Sequence, residues 1–204
     1  MNNKVVSWIV ALVLVVVSAG VLVMSVPGVR EVVLGGASVR TSTTNPQDYD
    51  LTEPQVTVLE GAEYFLFGEA ETTLNSMGET MDQKFWPLVR MIEEQKLDPE
   101  GDVVFVYLGA TGEPDDPFTL RMGFPVVAGT KAPEGFRIDR LPDLRCVKAD
   151  FTGHIEGVGH AYSKIMPALF QSGHQPSGET REVYREWHGP DSVDNRVDLC
   201  VGIQ

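Results

Sequence analysis

Glu182 and Tyr184 stand two residues apart in the β-prone run 180–187, so both project from one face of a strand, with Glu186 next along. A carboxylate and a phenol presented together suit the capture of a cation. Once partly desolvated, the carboxylate attracts a delocalised cation far more strongly than a surface group does, and the tyrosine ring adds a cation–π face. The other reading is a solvated sheet face. Phe105 and Tyr107 repeat the spacing in the earlier run 102–108, which makes Tyr107 the counterpart of Tyr184. Two aromatics approaching from two strands can sandwich a planar molecule; for Phe105, core packing competes with that role. Phe85 and Trp86 precede Pro87, whose ring interrupts the helical ladder and can turn the helix end toward a site. Trp86 falls off the apolar stripe of its helix and is a candidate pocket wall. Asp198 alternates with Val197 and Leu199, which places a carboxylate on the face opposite two apolar residues, either in solvent or beside Cys200 in the site.

Other chemistries find little support. His154, His160, His174 and His188 show neither H-x-x-x-H nor H-E-x-x-H spacing, so no metal site is expected. No G-x-S-x-G elbow, phosphate loop or Cys/His pair at useful spacing is present, and no cofactor is expected. Cys146 and Cys200 match no zinc motif; they are either a pair of buried reduced thiols or a disulfide joining two strands in an oxidising compartment. The chain carries 29 acidic against 16 basic residues, a net charge of −13. No basic stripe is available to displace counterions from a phosphate backbone, which argues against nucleic-acid binding.

Several elements must position these side chains. Residues 55–59 and 63–68 read as strands, followed by a helix whose Leu74, Met77, Met81, Phe85, Leu88, Val89 and Ile92 recur at three- and four-residue steps. Strands are expected at 102–108 and 118–126, joined by the turn-rich stretch 112–117. After a loop at 129–135 the grammar begins again: strands at 136–140 and 143–151, then a helix with Ile155, Val158, Tyr162, Ile165, Met166, Leu169 and Phe170 on one face, then strands at 180–187 and 196–203. Four landmarks recur in the same order in both halves: the helix stripe, an internal proline (Pro87, Pro167), a Pro-x-Gly turn (from Pro99 and Pro176) and a Val-Tyr strand (Val106-Tyr107, Val183-Tyr184). The expected fold is therefore α+β, with two βαββ units joined edge to edge as one antiparallel sheet carrying two helices. The seam between the units forms a central groove that receives side chains from both halves.

The stretch from Pro133-Glu-Gly-Phe136 through Leu141-Pro-Asp-Leu-Arg-Cys-Val-Lys-Ala-Asp-Phe-Thr-Gly153 resembles the GyrI-like small-molecule-binding domain, the effector-binding domain of multidrug-sensing regulators. Arg181-Glu-Val-Tyr184 and Val197-Asp-Leu-Cys-Val-Gly-Ile203 are similar to the closing strands of that family, and the resemblance extends over residues 54–204. It implies a ligand pocket whose central carboxylate, at the motif position of Glu182, meets cationic aromatic ligands. It also implies an alternative: some members are held to hydrolyse small electrophiles, with a pocket Glu activating water and a Tyr steadying developing charge, here Glu182 and Tyr184. A third reading is a structural or interaction domain with no small ligand.

Residues 5–29 are uncharged, and 5–26 are long and apolar enough to cross roughly 30 Å of hydrocarbon. This is read as a single transmembrane anchor; cleavage after Ala19 of a signal sequence is the alternative. The segment stands where regulator members carry a DNA-binding region, so a membrane-tethered ligand-binding domain is expected, single-pass and probing the extracytoplasmic side. Residues 30–53, rich in Ser, Thr, Gly, Asn and Asp, read as a flexible linker.

Overall fold

The computed structural model describes residues 48–190 and 192–204. The apolar stretch 5–26 and most of the expected linker lie outside the described residues. Among the described residues, no helix is long and apolar enough to cross a membrane.

Nine strands form one sheet, and every pairing in it is antiparallel. The strands are β1 (Tyr49–Leu51), β2 (Gln55–Leu59), β3 (Ala62–Thr72), β4 (Val103–Leu108), β5 (Phe118–Pro125), β6 (Arg137–Leu141), β7 (Leu144–Gly153), β8 (Pro176–Glu186) and β9 (Arg196–Ile203). The order is β1-β7-β9-β8-β4-β5-β3-β6, with β2 also paired to β7 farther along the same edge. From the central β4–β8 pair outward, each wing has the same sequence of neighbours: β8-β9-β7 on one side and β4-β5-β3 on the other. Each outer strand is then flanked by the strand that leads into the other half, β2 on β7 and β6 on β3.

Between β3 and β4 the chain forms a helix in three parts: α1 (Met77–Thr80), a π-helical turn (Met81–Phe85) and α2 (Trp86–Gln95). The break has a direct cause. Pro87 cannot donate a backbone hydrogen bond to the preceding turn, and its ring crowds that turn's carbonyl; widening to π geometry just before it relieves both. Between β7 and β8, a 3-10 turn (Ile155–Gly157) leads into α3 (Val158–Gln171), which accommodates Pro167 inside its last turns.

All helices lie on one face of the sheet. Met81, Phe85, Leu88, Val89 and Ile92 pack against Leu66, Phe105, Leu120, Met122 and Phe124. Ala161, Ile165 and Leu169 pack against Val147, Ala149, Phe151, Leu199 and Val201. Both helical stripes overreach at an end: Leu74 and Phe170 are exposed, because Leu74 precedes the first helical turn and Phe170 rolls past the sheet. The opposite face buries Phe65, Phe67, Val104, Val106, Leu141 and Val183. Here the β2–β3 and β6–β7 turns meet, with the Gly61 N–H donating to Asp143 Oδ1 at 2.9 Å.

Within the stretch expected to be linker, Tyr49–Leu51 instead adds to the sheet beside Phe151–Gly153. The Tyr49 ring lies 5.3 Å from that of Phe151, and Lys164 Nζ sits 4.4 Å from its centre, so two contacts outweigh the polar composition. Cys146 and Cys200 are both buried and free. The reduced-thiol alternative describes them; the hydrogen bond with Cys146, and then burial, push the Cys200 thiol up.

Gly123 in the sheet tolerates no side chain. A Cβ on Gly123 would land on the Leu66 carbonyl oxygen and within 2.7 Å of Phe67 Cα. Gly123→Ala should destabilise the protein by about 3 kcal/mol, the upper end for overpacking, because the obstacle is backbone. Urea unfolding checks this; an unchanged midpoint would refute the close β3–β5 approach.

Candidate functional site

Across the helix-covered face runs a row in which each residue pairs with the next: Ala149, Leu199, Glu182, Phe105, Met122 and Gly68. Glu182 is the one charged residue in it. On the central pair, Glu182 lies opposite Phe105, Tyr184 opposite Val103 and Tyr107 opposite Thr180. Because β4 and β8 run in opposite directions, Tyr184 and Tyr107 flank Glu182 from its two ends. Both donate to the same oxygen, Glu182 Oε2, at 2.8 and 2.9 Å. Tyr162 of α3 reaches down between the helices and donates to Oε1 at 3.0 Å.

The carboxylate is 6% exposed, with three phenol donors. Burial raises its pKa above the ordinary glutamate range, and the three hydrogen bonds work against that rise. Tyr107, Tyr162 and Tyr184 are each held well above the ordinary phenol range, first by burial and then by the neighbouring carboxylate, so they remain donors. Tyr162, Tyr184 and Trp86 are only half-buried, whereas Glu182 is buried.

Phe85 is completely buried, with its ring 5.1 Å from Phe105 and 5.9 Å from Phe124. It backs the site through Phe105, which in turn touches the Tyr184 ring at 5.1 Å. Trp86 packs on Phe85 at 4.9 Å. Asp198 is not brought to this group. It pairs with Val183 across the ladder and so faces the other side of the sheet, bonded to Arg185 and Lys148 at 2.7–2.9 Å. Burial would raise its pKa; those two cations more than offset this and hold it below the usual carboxylate range. Glu186 also leaves the site's face. The β8–β9 register shifts between Tyr184 and Glu186, after which Glu186 accepts from Arg196 at 2.9 Å and Trp187 turns into the core.

Tyr162 is the site residue that sequence reasoning took for part of a core stripe. A signal was present: it is the one member of that stripe with a hydroxyl, and a buried phenol seeks a partner. Tyr162→Phe removes the only donor to Oε1 among the described residues, so the pKa of the Glu182 carboxyl should rise further. Carbon-detected NMR titration of Glu182 should show its midpoint moving to higher pH; a fall would refute the assignment.

Fold and site together define an α+β domain with a buried, hydrogen-bonded carboxylate between two helix-covered wings. Residues 58–204 match the GyrI-like small molecule binding domain, and the chain belongs to that family. No curated protein matches the chain. Solved structures share the fold at low identity. An integron cassette protein from the mobile metagenome of Vibrio cholerae is 14% identical, with a TM-score of 0.52 over 77% of this chain and 99% of its own. The C-terminal domain of EcmrR is 13% identical, with a TM-score of 0.58 over 77% of this chain and 98% of its own. SAV2435, solved bound to tetraphenylphosphonium, is 12% identical, with a TM-score of 0.52 over 75% of this chain and 94% of its own.

Proposed function

We propose that this chain is a membrane-tethered receptor domain for lipophilic cations or planar aromatic molecules, with Glu182 as the charge at the bottom of the site. The observation that carries this reading is a buried carboxylate held by three phenol hydroxyls at the seam of the two wings. Three of its roughly four lone-pair positions are already occupied. A cation that needs no directional hydrogen bond, with charge spread over aromatic rings, suits such a carboxylate better than a primary ammonium does. That SAV2435 was solved with tetraphenylphosphonium is in keeping with this chemistry. The repeated landmarks of the sequence and the matching order of the wings support a duplicated βαββ origin, which would explain why the charge sits between the halves. Tethering through residues 5–26 rests on the length and apolarity of that stretch, and the placement of the domain outside the cytoplasm rests on its likeness to a signal sequence.

The test is a titration of the purified chain with tetraphenylphosphonium and with a planar cationic dye, read as saturable change in tryptophan emission. Saturation with either supports the reading. Absence of saturable binding by both leaves the third alternative, a seam that serves packing alone. Hydrolysis is kept as a second reading because burial raises the Glu182 pKa toward the range of a general base beside hydroxyl donors. It requires turnover of an electrophile that disappears in Glu182→Gln.

A further inference from the structure

Trp187 is 7% exposed, and its indole Nε1 is buried with no hydrogen-bond acceptor within reach among the described residues. Among the described residues it is the one buried side-chain nitrogen or oxygen in that position. Folded proteins pair nearly all such groups, because a donor stripped of water and given nothing in return is destabilising. A residue kept only to fill the core here would need no N–H; phenylalanine or leucine would fill it without that cost.

The local backbone has been altered to bring this group in. By simple alternation after Glu182 and Tyr184, Glu186 would be the next side chain under the helices. The register shift between Tyr184 and Glu186 sends Glu186 outward to Arg196 and His188 and carries Trp187 onto the helix-covered face. There it joins the cluster containing Phe85, Phe105 and, partly buried, Trp86 and Tyr184. Its ring stands edge-on to Tyr184 with centroids 6.1 Å apart, and the Tyr184 hydroxyl is bonded to Glu182. The Trp187 ring therefore lies one aromatic ring away from the buried carboxylate. Bulges commonly serve to re-aim a side chain next to a site.

We infer that Trp187 donates a hydrogen bond to the ligand, so that the site selects aromatic cations that also carry an oxygen or nitrogen acceptor about one ring's width from the positive centre. This rests on the ligand-holding reading above and sharpens it. Glu182 reads charge and the half-buried aromatic residues read flatness, while Trp187 reads a carbonyl, ether or ring-nitrogen lone pair. A cation without an acceptor still binds but leaves the indole unpaired. Sites built around a buried donor discriminate strongly against analogues that lack its partner.

The test compares two probes that differ only in the acceptor: tetraphenylphosphonium and its (4-acetylphenyl)triphenyl analogue, each titrated by calorimetry into the full chain and into Trp187→Phe. In the wild type the acetyl-bearing cation should bind about tenfold more tightly, the worth of one neutral hydrogen bond. In Trp187→Phe the preference should fall to about onefold, while tetraphenylphosphonium affinity changes less than about threefold. The unliganded variant loses no hydrogen bond within the protein, so its thermal midpoint should drop only by what the smaller ring leaves unfilled. Equal binding of the two probes by the wild type overturns this inference and leaves the receptor reading intact; a preference that survives in Trp187→Phe does the same. Binding of neither probe overturns both readings.

Discussion

Glu182→Gln should weaken tetraphenylphosphonium binding about a hundredfold and at the same time make the unliganded protein more stable at neutral pH. The two effects have one cause. At an effective dielectric of about 20 and a separation of roughly 5 Å, a unit charge pair contributes about 3 kcal/mol, or some two orders of magnitude in affinity. In the unliganded protein the same charge has been taken out of water, and burial raises the carboxyl above its ordinary range. A group raised on folding contributes stability that is fully present below its unfolded pKa and is lost as pH rises through the folded value. At neutral pH the wild type has lost that contribution, whereas glutamine has nothing to ionise. Each tenfold in the proton equilibrium is worth about 1.4 kcal/mol. The variant should therefore unfold at higher urea near pH 7, with the gap narrowing as pH falls below the raised carboxyl value. Cation binding by the wild type should weaken over the same acidic window. Other carboxylates, Asp198 among them, titrate in both proteins, so the difference between the two curves isolates Glu182. A variant less stable than wild type at neutral pH would show that the three phenol hydrogen bonds outweigh the burial cost.

Arg181→Ala should cost about 3 to 4 kcal/mol of folding stability, with ligand affinity changed only through stability. Arg181 neighbours Glu182 in sequence but faces the other side of the sheet. It is 1% exposed, lying between Val106 of β4 and Cys200 of β9. Its guanidinium donates to Glu179 Oε1 at 2.6 Å and to the Pro142 carbonyl at 2.8 Å, which fixes the β6–β7 turn over the sheet. Truncation leaves a cavity, an unmatched Glu179 and an unbonded carbonyl. Arg181→Met, which keeps the stem, should lose about half as much. Urea midpoints at constant m-value separate the two. If the methionine and alanine variants were equally destabilised, the polar bonds would account for the whole effect and packing for none.

The Glu182/Arg181 pair shows what could be read from the chain alone. Period-two alternation predicts that adjacent strand residues face opposite sides, and the register bears that out: Glu182 meets Phe105 and Leu199, while Arg181 meets Val106 and Cys200. The order of strands and helices, the helix stripe from Met77 to Ile92 and the proline interruption were legible because each depends on nearest-neighbour chemistry, whereas β3 runs on to Thr72 and β8 begins already at Pro176, in the expected turn. The family signature at 133–153 and 181–203 was legible for the same reason.

What could not be read were quantities that depend on two distant segments meeting. Tyr162 is 20 residues from Glu182, and on a helix it reads as one more apolar knob until the tertiary structure sets α3 above β8. Trp187 and Glu186 exchange faces because the β8–β9 ladder slips by one residue, which depends on the partner strand and leaves no mark in the local pattern. Tyr49–Leu51 becomes a strand only because β7 offers an open edge and Phe151 a ring to lean on. The sequence by itself determined which side chains alternate, where helices break and that a carboxylate and a phenol share a face. Tertiary structure decided how many phenols reach that carboxylate, how deeply it is buried and therefore which way its proton equilibrium moves. Local geometry is settled within a few residues, whereas desolvation and hydrogen-bond closure are set by whatever the fold brings from far along the chain.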